Sequence, residues 1–339
     1  MSRLAPVNEP VAVMGDQVAT DLMEVTDDLA RLSQGGRWAV AIPYAGPPVL
    51  ARFSSWSPAG DVGLAGAWSG VSAWESSMNK VQYCAAIEAV RGHIERGTVY
   101  QTNICRILTA SINDPGRSDI AGLFALLQFA HSAPYAGMLR LPQESIHIAC
   151  ASPELFLSRD GNQLDSGPIK GTAATSAALL DKDYAENVMI VDLVRNDLSK
   201  IAEKSSVKVD ELFGVYSFKT VHQMISTVSC VLKPDVNFTG ILEASFPMGS
   251  MTGAPKKSAV ELIEKHENFS RGLYSGSIGY IAPNGDFDFN VVIRSIIYNN
   301  EKKYLSCAVG GAITIQSTPE AEYEECKVKI KTILDQMHG

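Results

Sequence analysis

Apolar and polar positions recur along this chain with two different periods, and the switches between them mark its elements. Trp38-Ala39-Val40-Ala41-Ile42 and Val49-Leu50-Ala51-Arg52-Phe53 are short apolar runs in a stretch rich in Gly, Pro, Ser and Trp, and they predict strands. From Tyr83 to Arg96 the period lengthens: Cys84, Ile87, Val90 and Ile94 fall at helical spacing, and Gly97 stops the helix. A strand over Val99 to Thr109 and a second apolar helix over Ile120 to Ala130 follow. Leu155-Phe156-Leu157 and the stretch after Gln163 predict a hairpin turning at Asp160-Gly161-Asn162. Val188, Val191 and Val194 share one face of a long helix over Lys182 to Ile201, with Asp181 or Asp183 as candidate caps. Thr220 to Leu232 then reads as a strand and Lys256 to Glu267 as a helix. Strands at Ser275–Ile281, Asn290–Tyr298 and Tyr304–Gly310 and a helix from Glu320 to Met337 complete the pattern. Antiparallel-looking strand groups punctuated by helices predict an α+β fold, not regular βαβ alternation. Residues 1–75 read as strands completing a sheet built by the rest, and 76–337 as one integrated unit.

Composition narrows the class. With 46% hydrophobic and 19% charged residues, the 339-residue chain can bury a large core. A formal charge of −8 argues against a nucleic-acid footprint or a basic membrane surface. No apolar run approaches the roughly 18–20 residues of a membrane span. Met1 to Pro10 has no apolar core of a signal peptide. The six cysteines, at 84, 105, 150, 230, 307 and 326, form no Cys-x-x-Cys pair and have no His at zinc spacing. They read as buried thiols of a reduced compartment. The expectation is a cytoplasmic protein with neither nucleic acid nor membrane as partner.

The candidate chemistry centres on Lys170, an amine in Pro168-Ile169-Lys170-Gly171-Thr172 with no acidic neighbour in sequence. Glu154 lies 16 positions earlier, and a hairpin turning near Asn162 brings the two to within a residue or two of register. A carboxyl and an amine would then face one site, as a proton donor beside a nucleophile. Taken alone, the pair also reads as a surface ion pair worth about 0–1 kcal/mol. Glu322, Glu325 and Lys329 share a face of the last helix, which equally suits a solvated face. Glu186 sits near the N-terminal end of the long helix, where a carboxylate complements the helix dipole anyway. Two helices each offering a glutamate would suit Mg²⁺, which usually takes only one or two carboxylates. Gly310-Gly311-Ala312 can expose backbone N–H groups to an anion, or can be a bulge. Arg294, inside an apolar run, needs a carboxylate partner. His222 is either a ligand contact or a satisfied core histidine. Gly249-Ser250-Met251-Thr252-Gly253 opens a helix, with Thr252 as a candidate cap, but lacks phosphate-loop spacing.

These motifs together resemble a known family. Tyr100-Gln101-Thr102-Asn103, Ser152-Pro153-Glu154-Leu155-Phe156, Pro168-Ile169-Lys170-Gly171-Thr172, Asp192 to Leu198, Thr252-Gly253-Ala254-Pro255-Lys256, Val292-Ile293-Arg294 and Glu320 to Glu325 stand in the order found in the chorismate-utilising enzymes. The resemblance covers about residues 75–335 and implies two antiparallel β-sheets packed as a central sandwich with helices outside. It points to the branch that aminates chorismate at C4, because that branch carries lysine where the anthranilate-forming branch carries alanine. Gln101 stands where the isochorismate- and salicylate-forming branches carry a lysine base. The resemblance implies Lys170 as nucleophile at C2 and Glu154 as general acid at the C4 hydroxyl. It implies Mg²⁺ on Glu186 and Glu325 with Glu322 close by. It places Arg294, Tyr280, Lys329, the amides of Gly311 and Ala312, Thr172 and His222 around the substrate. The family usually has His after the metal-binding glutamate, where this chain has Asn187. No cysteine sits in a Gly-x-Cys-x-Gly glutaminase setting, so ammonia from a separate glutamine amidotransferase subunit is expected. The rivals are anthranilate synthesis, a non-catalytic anion-binding homologue and a Schiff-base lyase.

Overall fold

In a computed structural model, the chain is described at residues 3–5, 9–59, 62–64, 66–131, 133–173, 175, 179, 181–218, 222–299 and 303–337. Among the described residues six α-helices accompany the strands: α1 (Lys80–Glu95), α2 (Ile120–His131), α3 (Asp181–Ser199), α4 (Phe238–Ser245), α5 (Lys256–His266) and α6 (Pro319–Asp335). The fold is α+β. All but one short parallel pair (Arg3–Ala5 with Val62–Leu64) of the described strands join one closed antiparallel circuit, so the two expected sheet layers are continuous at their edges. The early strands are part of that circuit: Val11–Met14 pairs with Tyr135–Leu141, and Trp38–Ile42 with Ser277–Ile281.

Local chemistry sets the boundaries. Asn79 accepts from the Gln82 amide at 3.0 Å and the Gln82 side chain accepts from the Asn79 amide at 2.9 Å. This capping box starts α1 at Lys80, ahead of the first apolar residue of the periodic run. Thr252 is not a cap: its hydroxyl donates to the Met248 carbonyl, and Pro255 stands at the N-cap of α5. The strand expected over Asn290–Tyr298 is broken. Phe287–Asn290 and Ser295–Asn299 are strands, and Val291–Arg294 between them is irregular, ending in Arg294 at φ +51°. Backbone groups there are committed elsewhere: Val291 N donates to Glu154 O and Val292 N to Gly276 O. Of the strand expected over Thr220–Leu232, His222–Val231 is observed, and Thr220 and Val221 lie outside the described residues.

Among the described residues four apolar clusters hold the fold, three of them large and one a small cluster of Val99, Ala259 and Leu262. Small and branched residues (Ala12, Ala39, Ala41, Ala51, Leu139, Ile148, Ile278) pack between strand layers. A second core includes faces of α1, α2 and α6, and a third includes α3, α4 and Phe156, Phe287 and Phe289. The site lies where three elements meet. Strand Gln101–Ser111 pairs with Tyr304–Ile313 along its length and with Gly253–Ala254 at its start. α6 packs on Tyr304–Ile313, and α3 packs on His222–Val231 and Ile169–Ala173.

Candidate active site

The hairpin forms as the turn residues require, with Leu155–Asp160 paired to Gln163–Gly167 and Asp160 opposite Gln163. Its last pair is Leu155 with Gly167, so Glu154 and Lys170 both lie just beyond the ladder. Lys170 belongs to the next strand, Ile169–Ala173, whose register against His222–Val231 shifts between Ile169 and Thr172. Gly171 makes that irregularity possible. Its φ is +88°, and a Cβ there would meet Asp183 Cβ at 3.0 Å on α3. The backbone of Glu154 is fixed by its amide donating to Ser152 Oγ at 3.2 Å and its carbonyl accepting from Val291 N at 3.0 Å.

Acid and amine meet at one residue. The Glu154 carboxyl is bonded to the Ser250 side chain and to the Ile169 backbone, while Lys170 Nζ donates to the Ser250 carbonyl at 3.3 Å. Glu154 is 5% exposed, and burial raises its pKa above the carboxylate range. Lys170, Ser250, Ile169 and Arg294 oppose that rise without cancelling it. Arg294 is drawn down by burial, with Glu154 acting the other way. Among the described residues no carboxylate is within ion-pair distance of Arg294, so its guanidinium is available to an acidic ligand.

The second half of the site is a belt of carboxylates and lysines. Burial raises Glu186, with Lys170 and Lys182 opposing and Glu322 and Asp183 reinforcing. Burial also raises Glu322, whose Oε1 accepts from Ser317 Oγ at 2.7 Å, and Glu325 adds to the rise. Glu325 goes the other way: burial pushes up, but Lys329, Lys182 and Lys170 hold it below the usual range. Lys329 pairs with Glu325 at 2.8 Å and donates to Gly310 O at 3.1 Å. Burial pulls Lys329 down, and Glu325, Cys326 and Glu322 outweigh it, leaving its pKa raised. Gly311 leaves room for the Glu322 carboxylate, since a Cβ there would stand 2.8 Å from Glu322 Oε2 and displace it. Ala312 lies next to it, opposite Asn103 in the ladder.

Some expected residues are not brought in. Tyr280 points away: its strand pairs with Trp38–Ile42, its hydroxyl donates to Asp288 Oδ2 at 2.8 Å, and its ring packs on Trp56. Strand alternation puts it on the face of the alanine-rich core. His222 pairs with Ser217 Oγ at 3.0 Å at the rim, and Thr172 is exposed nearby. Among the described residues no group of three or more His, Cys, Asp or Glu side chains converges tightly enough to be a ready-made metal site. Sequence reasoning missed Ser250 and Lys182 at the site, and left unremarked Tyr274, a core tyrosine near its edge. Tyr274 is buried with its hydroxyl 3.5 Å from Cys105 Sγ, and Cys105 faces Gly310 in the ladder. Only the glycine-rich character of the 249–253 loop signalled Ser250; nothing in the periodicity signalled the other two.

The fold is that of the chorismate-utilising enzymes. The menaquinone-specific isochorismate synthase from Escherichia coli superimposes with a TM-score of 0.81 at 18% identity, covering 97% of this chain and 90% of that one. The family model described as chorismate binding enzyme matches residues 64–335, and the chain belongs to that family. The chloroplastic aminodeoxychorismate synthase of Arabidopsis thaliana is 40% identical over 266 residues, covering 75% of this chain and 28% of that protein. Aminodeoxychorismate synthase component 1 of Escherichia coli (strain K12) is 37% identical over 278 residues, covering 78% of this chain and 60% of that protein. The chain thus spans between 28% and 60% of the length of these two curated relatives. No helix among the described residues is long and apolar enough to cross a membrane.

Proposed function

We propose that this chain acts as component I of an aminodeoxychorismate synthase, converting chorismate and ammonia to 4-amino-4-deoxychorismate for 4-aminobenzoate and folate synthesis in the cytoplasm. The observation that carries it is Lys170 beside the buried Glu154, whose pKa burial raises, both bonded to Ser250. In this reading Lys170 Nζ, uncharged, adds to C2 of the ring and the double bonds shift. The C4–O bond breaks as Glu154 gives its proton to the hydroxyl, which leaves as water. Ammonia then adds at C4, the double bonds shift back, and the C2–N bond to Lys170 breaks. The surplus proton on the new amine returns to Glu154, so chorismate and ammonia give product and one water.

Arg294, the amides of Gly311 and Ala312, and Lys329 would hold the substrate carboxylates, with Thr172 and His222 at the rim. The donor set fits Mg²⁺: hard carboxylate oxygens on α3 and α6, with Glu186 and Glu322 both raised by burial and by like charge. Glu186 and Glu325 would hold the ion, with Glu322 close by on Ser317. When bound, Mg²⁺ would neutralise the belt and grip a substrate carboxylate. The ammonia source is proposed to be a glutamine amidotransferase subunit, since none of the six cysteines stands between glycines as a glutaminase nucleophile does. The test is purified chain with chorismate, Mg²⁺ and ammonium. Formation of 4-amino-4-deoxychorismate is expected; anthranilate with pyruvate would overturn the reading.

A further inference from the structure

Three successive carbonyls of the loop before α5 are each claimed by a donor. Ser250 O accepts from Asn103 Nδ2 at 2.6 Å as well as from Lys170. Met251 O accepts from Arg271 Nη1 at 2.8 Å. Thr252 O accepts from the Asn103 amide at 2.7 Å and from Thr102 Oγ1 at 3.3 Å. The loop is therefore stapled to strand Gln101–Ser111 at one side and to Arg271 at the other.

Arg271 uses every nitrogen of its fork. Nε and Nη2 donate to the two Glu267 oxygens at 2.8 and 2.6 Å, Nη2 also reaches Asn103 O at 3.3 Å, and Nη1 reaches Ser275 Oγ at 3.2 Å besides Met251 O. Glu267 Oε1 in turn accepts from the Cys105 amide at 2.9 Å. Both side chains are 2% exposed. Such a pair contributes little net stability, because desolvation offsets its Coulomb gain. What it does supply is geometry. A rigid planar fork ties Asn103 and Met251, the two neighbours that orient the Ser250 carbonyl, to one point. Lysine could not reproduce that reach.

We infer that the buried Arg271–Glu267 pair is a positioning device for the Lys170 amine, acting through Asn103 and the 250–252 carbonyls. This rests on the reading of Lys170 as the nucleophile. Drift of about 1 Å in such a group costs on the order of 10²-fold in rate, while binding made by distant groups is unaffected. Neither Arg271 nor Glu267 needs to touch substrate for this.

The test compares Arg271→Lys and Glu267→Gln with Arg140→Lys, which alters a second buried Arg–carboxylate pair (Arg140 with Asp119) away from the loop. Turnover of chorismate with ammonium and reductive methylation of Lys170 by formaldehyde are both measured. The methylation is read by peptide mass spectrometry as a ratio to exposed Lys204. Arg271→Lys and Glu267→Gln should lower kcat at least about tenfold with KM within about threefold, and change the Lys170:Lys204 ratio at least about threefold. Arg140→Lys should leave both at the wild-type value. If the two variants only lower thermal stability, as is expected of Arg140→Lys, with kcat and labelling ratio intact, the inference is wrong. Should Arg271→Lys fail to fold, Glu267→Gln decides alone, because it keeps the acceptor for the Cys105 amide. A wild-type chain that does not turn over chorismate would instead sink the reading of Lys170 as nucleophile, while the labelling ratio still reports whether the clamp holds that amine.

Discussion

Two regions of this molecule bury charge, and they do it to different ends. At the Arg140 cluster, Arg140 Nη1 donates to both Asp119 oxygens at 2.7 and 2.6 Å, and its Nε donates to Glu9 O at 2.8 Å. Asp119 also accepts from the Ala121 amide, at the start of α2. The pair is closed, with both partners at most 5% exposed. Around Lys170 the charges are not closed in this way. Glu154, Glu186 and Glu322 all have raised pKa values, Arg294 has no carboxylate at ion-pair distance among the described residues, and the belt opens to solvent at Glu325 and Lys329. Burial shifts titration at His147, beside Arg140, as well as around Lys170, so perturbation alone does not mark a site. The distinguishing feature is charge left for something else to complete.

The sharpest way to break this comparison is to remove the amine. Lys170→Ala should lower 4-amino-4-deoxychorismate formation by at least about 100-fold, measured by product chromatography with saturating ammonium. Undiminished turnover would reduce Lys170 to one more buried polar group. Glu154→Gln should cost about 10²–10⁴-fold, the usual worth of a general acid, with Mg²⁺ affinity kept. In the proposed mechanism Glu154 must be protonated to act. Because burial raises its pKa, activity should survive above the ordinary carboxylate range and fall as pH rises through the shifted value. Glu325→Gln should instead weaken Mg²⁺ dependence of turnover by at least about tenfold, and EDTA should abolish wild-type activity. Loss of metal dependence with Glu154→Gln would exchange the two roles.

How much of this was legible depends on what kind of interaction placed each residue. The hairpin between Glu154 and Lys170 was readable because turn residues and alternation act locally. The helices that carry Glu186 and Glu325 were readable for the same reason. Strand Lys208–Ser217 was not, because it lies largely exposed and carries no apolar alternation. Arg294 was expected inside a strand, but tertiary hydrogen bonds from Val291 and Val292 break it and turn the backbone left-handed. Tyr280 and Tyr274 lie on one short segment, and only the pairing partners of Ser277–Ile281 decide that the first faces Trp56. Ser250 was signalled only by the glycine-rich loop that holds it, since its role comes from a carbonyl that two distant strands approach.

Smaller effects test the closed region. Arg140→Lys loses the two-toothed contact with Asp119 and should cost about 1–3 kcal/mol in a urea titration, with kcat per folded molecule within about twofold of wild type. A large drop in kcat would mean that the two regions are coupled and that the contrast between them is wrong.

The last test uses pH to separate the regions by sign. His147 lies beside Arg140, and burial, then the Arg140 charge, lower its pKa from 6.5 to about 4. The unfolded chain therefore binds a proton near pH 6.5 that the folded chain refuses until about pH 4, so stability is lost as pH falls through that window. The contribution lost between pH 7 and pH 5 is about 2 kcal/mol. The carboxyls of the site have the opposite sign: raised in the fold, Glu154, Glu186 and Glu322 favour the folded state as pH falls. His147→Phe removes the first effect and leaves the second. Its urea midpoint should fall less than that of the wild type between pH 7 and pH 5, by an amount equivalent to about 2 kcal/mol. Parallel curves for the two proteins would mean that His147 is not held neutral, and that the closed region does not oppose the open one.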